Sequence, residues 1–151
     1  MQLSHFFTAT KTCPTDQHKL IPSVYAGIRI MPDGVGNKEA VSCSGSTYIA
    51  IRSGKHSSST AMSHGLDCER LLHLKEFEDM TRSGIDWLVK PVFVFTVDGG
   101  PHENPRYQKV IKVAIHHFVQ HDLDALFIAA NALDAVHLIE LNERWHHEVE
   151  N

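Results

Sequence analysis

The chain is predicted to adopt a mixed α/β fold, a β-sheet flanked by helices, on three observations. A run rich in β-branched and aromatic residues, Lys19 to Ile30, leads into the turn chemistry of Met31-Pro32-Asp33-Gly34-Val35-Gly36-Asn37, a hairpin signal. The segment Val92 to Val97 consists of β-formers alone, is ended by Asp98-Gly99-Gly100-Pro101, and reads as a strand buried on both faces. Downstream of it, helical and strand patterns alternate, which argues for parallel strands joined by right-handed crossovers.

Taken in order, Met1 to Asp16 mix polar and aromatic residues without a period, so residues 1–17 are expected to be a poorly ordered lead-in and residues 18–151 the folded domain. After the first strand, the return strands are Ala40 to Cys43 and Thr47 to Arg52, separated by Ser44-Gly45-Ser46, giving a β-meander. The serine-rich run Ser53 to Ser63 reads as a loop or a polar strand end. Asp67 is placed to cap a helix beginning at Cys68, with Leu71, Leu72, Leu74, Phe77 and Met80 at roughly helical spacing. Asn104 is placed to cap the next helix, with Pro105 in its first turn, an apolar stripe through Tyr107, Val110, Ile111, Ala114, Ile115 and Phe118, and its end at Asp122. Leu126 to Ala129 forms a second short buried strand, and Asp134 caps a final helix from Ala135 to about Glu148, packing through Val136, Leu138, Ile139 and Trp145.

Composition narrows the function classes. At 151 residues the chain fits one domain. With 42% apolar and 21% charged residues it lies outside the low-hydrophobicity, high-charge profile of disorder. Fourteen Lys and Arg against 18 Asp and Glu leave a net charge of -4, so any contact with a polyanion must come from a local basic patch. The 12 histidines add positive charge only as pH falls toward about 6. Cys13, Cys43 and Cys68 are too widely spaced for a metal knuckle and too few for a disulfide framework, which fits a reducing compartment. Neither a membrane-spanning run nor a signal peptide is read from the sequence, so the expected location is nuclear or cytoplasmic.

Asp98 is the leading candidate for chemistry, because loops at the carboxyl ends of strands carry ligands in open α/β sheets. Gly99 and Gly100 permit close approach of a substrate backbone, the helix start near Pro105 favours an anion, and Arg106 and Lys109 add positive charge. By spacing alone, Asp98 reads first as a turn-capping residue and DGGP as a loop. Arg52, Lys55 and Arg29 read either as a basic strip beside the sheet, which with Arg106, Lys109 and Lys112 supplies local DNA affinity, or as scattered surface charge. His117 and His121 have the i, i+4 spacing that chelates zinc, but the helix lacks a metalloprotease glutamate and further ligands, so these and His116 read as surface histidines. His146, His147 and Glu148 read the same way. Lys55-His56 with Ser57 to Thr60 suggests an activated serine, but no acid or oxyanion donor is placed beside it.

The segment VDGGPHENPRYQK, followed by LDALFIAANA, resembles a set of eukaryotic transposon-derived proteins related to mariner-type and bacterial insertion-sequence DDE transposases. HKLIPSVYAGI and SGSTYIAIRSGKHSSSTAMSH resemble stretches upstream of that motif, so the likeness spans about three-quarters of the chain. Its most specific part is Asp98-Gly99-Gly100-Pro101 with Asn104 and Arg106. The resemblance implies an RNase H-like mixed sheet flanked by helices, incomplete at both ends, with DNA as partner. It also implies Mg²⁺ or Mn²⁺ as cofactor, two ions about 3.5 to 4 Å apart held by two aspartates and a glutamate. Asp98 matches the second acid. The first belongs on a strand before LIPSVYA, where only Asp16 is available. The third falls on Asn142 in an ungapped alignment, and Glu143 or Glu140 reaches its place only by a register change. The expectation is a fragment of a DDE-type transposase without strand cleavage. The alternative is a nucleic-acid or protein interaction module without catalysis.

Overall fold

A computed structural model of the chain describes residues 3–10, 19–30, 41–132 and 135–142. Within them six strands form: β1 (Leu3–Thr10), β2 (Leu20–Ile30), β3 (Val41–Ser53), β4 (Val92–Val97), β5 (Ala125–Ala132) and β6 (Ala135–Asn142). Three helices accompany them: α1 (Ala61–Leu72), the single-turn α2 (Glu78–Thr81) after a 3-10 turn at Lys75–Phe77, and α3 (Gln108–Gln120). The strands make one sheet in the order β3-β2-β1-β4-β5-β6. The three central strands β1, β4 and β5 run parallel, while β2, β3 and β6 pair antiparallel. The fold class is therefore mixed α/β, with β1 to β4 connected through α1 and α2 and β4 to β5 through α3, as parallel pairs require.

Strand periodicity decides which side chains enter the core. Register sets Phe6, Tyr25, Phe93, Val97, Leu126, Ile128 and Ala130 on one face, all buried. Two clusters grow from that face: Ala61, Leu72, Val110, Ala114 and Phe118 cover the β4–β5 half, and Leu71, Phe77 and Met80 cover the β1–β2 half. Gly65 lets α1 and α3 approach. A Cβ there would lie 2.7 Å from Val113 Cγ1 and 3.2 Å from His117 Nε2. Gly65→Ala is expected to lose about 1 kcal/mol of stability, an overpacking cost of about 1–3 kcal/mol less about 1 kcal/mol of helix propensity. In a Val113→Ala background the same change should become neutral or favourable, and urea unfolding of the four proteins would expose an error in either sign.

The strand β4, the meander of β2 and β3, the strand β5 and the apolar stripe of α3 lie where the sequence places them. Other elements differ, each for a physical reason. Residues 3–10 form a strand between β2 and β4 and not a lead-in; its core-facing positions include Thr8, and a polar residue facing inward hides the alternation. Ser44-Gly45-Ser46 does not divide two strands, because the ladder with β2 crosses it by a register shift opposite Ala26 and Ile28. The first helix starts at Ala61, capped by Thr60, whose hydroxyl accepts from Ser63 N while Ser63 Oγ accepts from Thr60 N. Asp67, expected as the cap, is buried in mid-helix with partners from the sheet. Asn104 closes a turn with Arg106 N at 3.0 Å, and α3 begins after it, at Gln108. Asp122 ends the segment as expected: with φ +49, Leu123 N reaching Phe118 O and Asp122 N reaching Val119 O, it completes a Schellman closure.

The final helix is replaced by a strand. β6 pairs antiparallel along β5, from Ala132 with Ala135 to Ala125 with Asn142. Helical and strand patterns compete in AVHLIELN, and the unpaired edge of β5 settles the competition by offering a full ladder. Residues Glu143 to Glu148 of the expected helix, like Asp134, lie outside the described residues, as do residues 1–2 and 11–17 of the expected lead-in and the expected turn from Met31 to Asn37.

Candidate functional site

At the carboxyl ends of β1 and β4 the chain gathers most of its polar chemistry. Asp98 follows β4 and is exposed; its Oδ1 accepts from Gly100 N at 3.1 Å, and Gly99 takes φ +85, so the DGG step is a turn that its carboxylate stabilises. The loop then buries Glu103 and Asn104. Arg106 is exposed, with its guanidinium carbon 4.8 Å from the Tyr107 ring centroid. Lys109, also exposed, donates to His102 Nδ1 at 2.9 Å, and His102 is held below the usual imidazole range by burial and then by that ammonium. Lys55 lies exposed in the turn after β3, at the same end of the sheet.

Behind this rim lies a buried polar network. Tyr25 Oη donates to Asp67 Oδ2 at 2.9 Å, so its contact with His64 Nδ1, 2.8 Å, is one in which the imidazole N–H donates. That tautomer leaves His64 Nε2 to accept from Ser59 Oγ at 2.9 Å, with Glu103 Oε1 3.4 Å away. Arg52 pairs with Asp67 Oδ2 and donates to Ser23 Oγ at 2.9 Å and to Ser63 O at 3.2 Å. Burial, then the Arg52 charge, pushes the His64 pKa down to about 4, and burial pushes the Tyr25 phenol far up. Ser59 paired with His64 has the outline of an activated serine, found neither at Lys55 nor at His56. A base held near pH 4 takes a serine proton poorly at neutral pH, so the pair reads as packing.

A third group sits between α1 and α3, farther along both helices. Glu69 Oε1 lies 2.7 Å from His117 Nδ1 and 2.7 Å from His121 Nε2. The two imidazole rings stack at 10° with centroids 6.0 Å apart. Burial holds His117 below the usual imidazole range against the pull of Glu69. For Glu69 burial acts upward, but the hydrogen bond and charge of His121, then those of His117, outweigh it and leave its pKa below the ordinary value. At neutral pH the group is thus an ionised carboxylate facing a neutral His117. The surface reading of these histidines is corrected, since His117 is buried and His121 partly so. The i, i+4 spacing was the visible signal; Glu69, 48 residues upstream of His117, was not.

Other expected site residues are redistributed. Arg52 leaves the basic strip, because a guanidinium buried against Asp67 cannot meet a phosphate. Arg29 is exposed near the far end of β2, and cannot join Lys55, which follows the end of β3 paired with Leu20. Glu140 stands on β6, opposite Phe127, and not on a helix. Phe127 in turn pairs with Val94, four residues before Asp98, so at roughly 3.3 Å per residue the Glu140 backbone lies about 13 Å back along the sheet from Asp98. Glu143 lies outside the described residues. No described helix is long and apolar enough to cross a membrane. No protein-family model, curated protein or solved structure matches this chain.

Proposed function

We propose that the chain is an RNase H-like, transposase-derived domain that does not cut DNA and retains a nucleic-acid contact at the carboxyl end of its parallel strands. One observation carries the reading: β1 runs parallel to β4 in a register of Thr8 with Val97, so Ala9 stands beside Asp98. The resemblance requires a strand ahead of LIPSVYA bearing the first acid, and β1 occupies that place. Its sequence, LSHFFTAT, holds no carboxylate. The mixed sheet with helices packed on it supports the same reading.

Two-ion phosphoryl transfer needs carboxylates shared between ions about 3.5 to 4 Å apart. Asp98 has no acid beside it on β1, and Glu140 is set well back along the sheet. Mg²⁺ keeps its water unless several hard ligands converge, and among the described residues neither β1 nor β6 sets an acid beside Asp98. Asp98 is left as an inherited turn residue, and the exposed cations Arg106, Lys109 and Lys55 as the phosphate contacts.

The test is a titration of Mg²⁺ and Mn²⁺ against the purified chain with labelled duplex DNA, in parallel with Asp98→Asn. The expected result is no metal-dependent cleavage by either protein, with binding that weakens as salt rises and that weakens at least several-fold on joint Arg106→Ala and Lys109→Ala substitution. Cleavage that needs metal and disappears in Asp98→Asn would overturn the loss of activity. Absence of salt-sensitive binding would overturn the nucleic-acid contact and favour a protein interaction module. That second reading rests on the outer face of β2 and β3, where Leu20, Ile49 and Ile51 are exposed.

A further inference from the structure

We propose that Glu69, His117 and His121 form a binding site for a borderline transition-metal ion of the zinc class, between α1 and α3 and separate from the Asp98 loop. One ligand atom from each of the three residues lies within 4.8 Å of the others. His117 Nδ1 and His121 Nε2 converge on a single oxygen, Glu69 Oε1, at 2.7 Å each. An ion about 2.0–2.1 Å from each nitrogen and from the carboxylate oxygen sets tetrahedral ligand atoms roughly 3.3 Å apart. Each nitrogen-to-oxygen separation needs to open by about 0.6 Å, from 2.7 Å to roughly 3.3 Å.

The chelate is held from two elements. His117 and His121 are one turn apart on α3, and Glu69 comes from α1, which Gly65 allows to lie against Val113 and His117. The site is therefore built by packing two helices and not by an exposed pair on one. Access is provided as well: the side chains of Glu69, His117 and His121 are 21%, 9% and 12% exposed, and Glu69 and His117 border a surface cleft lined by Met62, Leu66, Val113 and His116. Three protein ligands leave a fourth position for water or a small ligand on that side.

Donor chemistry selects the ion. Two imidazoles and one carboxylate suit Zn²⁺, and Co²⁺ as its spectroscopic substitute, whereas Mg²⁺ and Ca²⁺ prefer oxygen-only shells. Position separates this site from the ancestral one: α3 runs back from the Asp98 loop, and its residue His117 lies nine residues into the helix counted from Gln108, about 13 Å along it.

The experiment is calorimetric titration of Zn²⁺ into the full chain, with Co²⁺ visible absorption as the second readout. Glu69→Gln and His121→Asn are the test variants, both at partly exposed positions, and His56→Asn, in the exposed turn after β3, is the control. Circular dichroism confirms that each is folded before titration. The expected result is one equivalent of Zn²⁺ with the intense visible bands of tetrahedral Co²⁺, affinity reduced at least about tenfold in each folded test variant, and no change in the control. Zinc binding should also raise the thermal midpoint of the parent chain and not that of the test variants. Zinc binding that persists undiminished in both test variants, or a folded parent chain that binds none, overturns the site. Equal binding of Mg²⁺ overturns the assigned class of ion.

Discussion

Replacing Asp67 with alanine is expected to destabilise the chain by about 3–5 kcal/mol, a large part of the roughly 5–15 kcal/mol that holds a domain together. The magnitude comes from what is left behind. Asp67 is 1% exposed and accepts from both Arg52 and Tyr25, so its removal strands a buried guanidinium and a buried phenol together. Removing only the phenol hydroxyl, in Tyr25→Phe, should cost about 1–3 kcal/mol, because it takes a donor from Asp67 and leaves the buried His64 N–H without its acceptor. Because a buried ion pair contributes little net stability against apolar substitutes, Arg52→Met combined with Asp67→Leu should recover most of the loss. Urea unfolding measures all four proteins. A loss of under 1 kcal/mol in Asp67→Ala would show that Arg52 finds water or another acceptor when its partner goes.

The second large effect is on acid stability. The His64 imidazole is held down from an ordinary 6.5 to about 4 in the folded chain, by burial first and the Arg52 charge second. Between those values the unfolded chain binds a proton that the folded chain refuses. Stability is therefore fully present above pH 6.5 and is lost as pH falls through this window, levelling below about 4. At about 1.4 kcal/mol per pH unit, this histidine alone should remove on the order of 3 kcal/mol. Glu69, with its pKa below the ordinary carboxylate value, adds a loss of its own as it protonates at lower pH. Denaturant midpoints measured from pH 7.5 to 4 should show the decline, and His64→Gln should make it shallower, leaving the share of His117, which burial also holds below the usual imidazole range. An equally steep decline in His64→Gln would assign the loss elsewhere.

The two effects share a cause, which is that the sheet face under α1 is polar where α1 crosses β2 and β3. Ser23, Tyr25 and Arg52 rise from the strands to meet His64 and Asp67 from the helix. A core of this kind fixes the helix in one position, because each group has a partner only there. It also explains why Asp67 read as a helix cap. Aspartate ahead of an apolar stretch is the ordinary signal for one, and its acceptor role is the same in both settings. Only the arrival of Arg52 and Tyr25, 15 and 42 residues away, decides that it sits in the middle of a helix.

The candidate sites divide along the same line. The Asp98 turn was legible, since an Asp-Gly-Gly-Pro step after a run of β-formers carries its conformation in its own residues. The His117 and His121 pair was legible as a pair, through helical spacing. What converts that pair into a candidate chelate is a glutamate on another helix, and no local pattern points across such a distance. Arg52 shows the opposite failure: a cation in a polar strand reads as surface, and its burial follows from an acid that folding brings to it.

By itself, the sequence determined the elements whose residues agree on one conformation: β4 and β5 from continuous apolar runs, β2 and β3 from their β-branched and aromatic residues, and α3 from its stripe. The tertiary structure alone decided β1 and β6, the burial of Arg52 against Asp67, and the meeting of Glu69 with two histidines. The physical reason is that β1 and the polar partnerships depend on groups from other elements, while β6 is set by the open edge of its hairpin neighbour β5 and not by its own residue pattern. A segment with mixed local preference takes the state in which its hydrogen bonds and charges are satisfied, and for these residues the satisfying partners lie on another element.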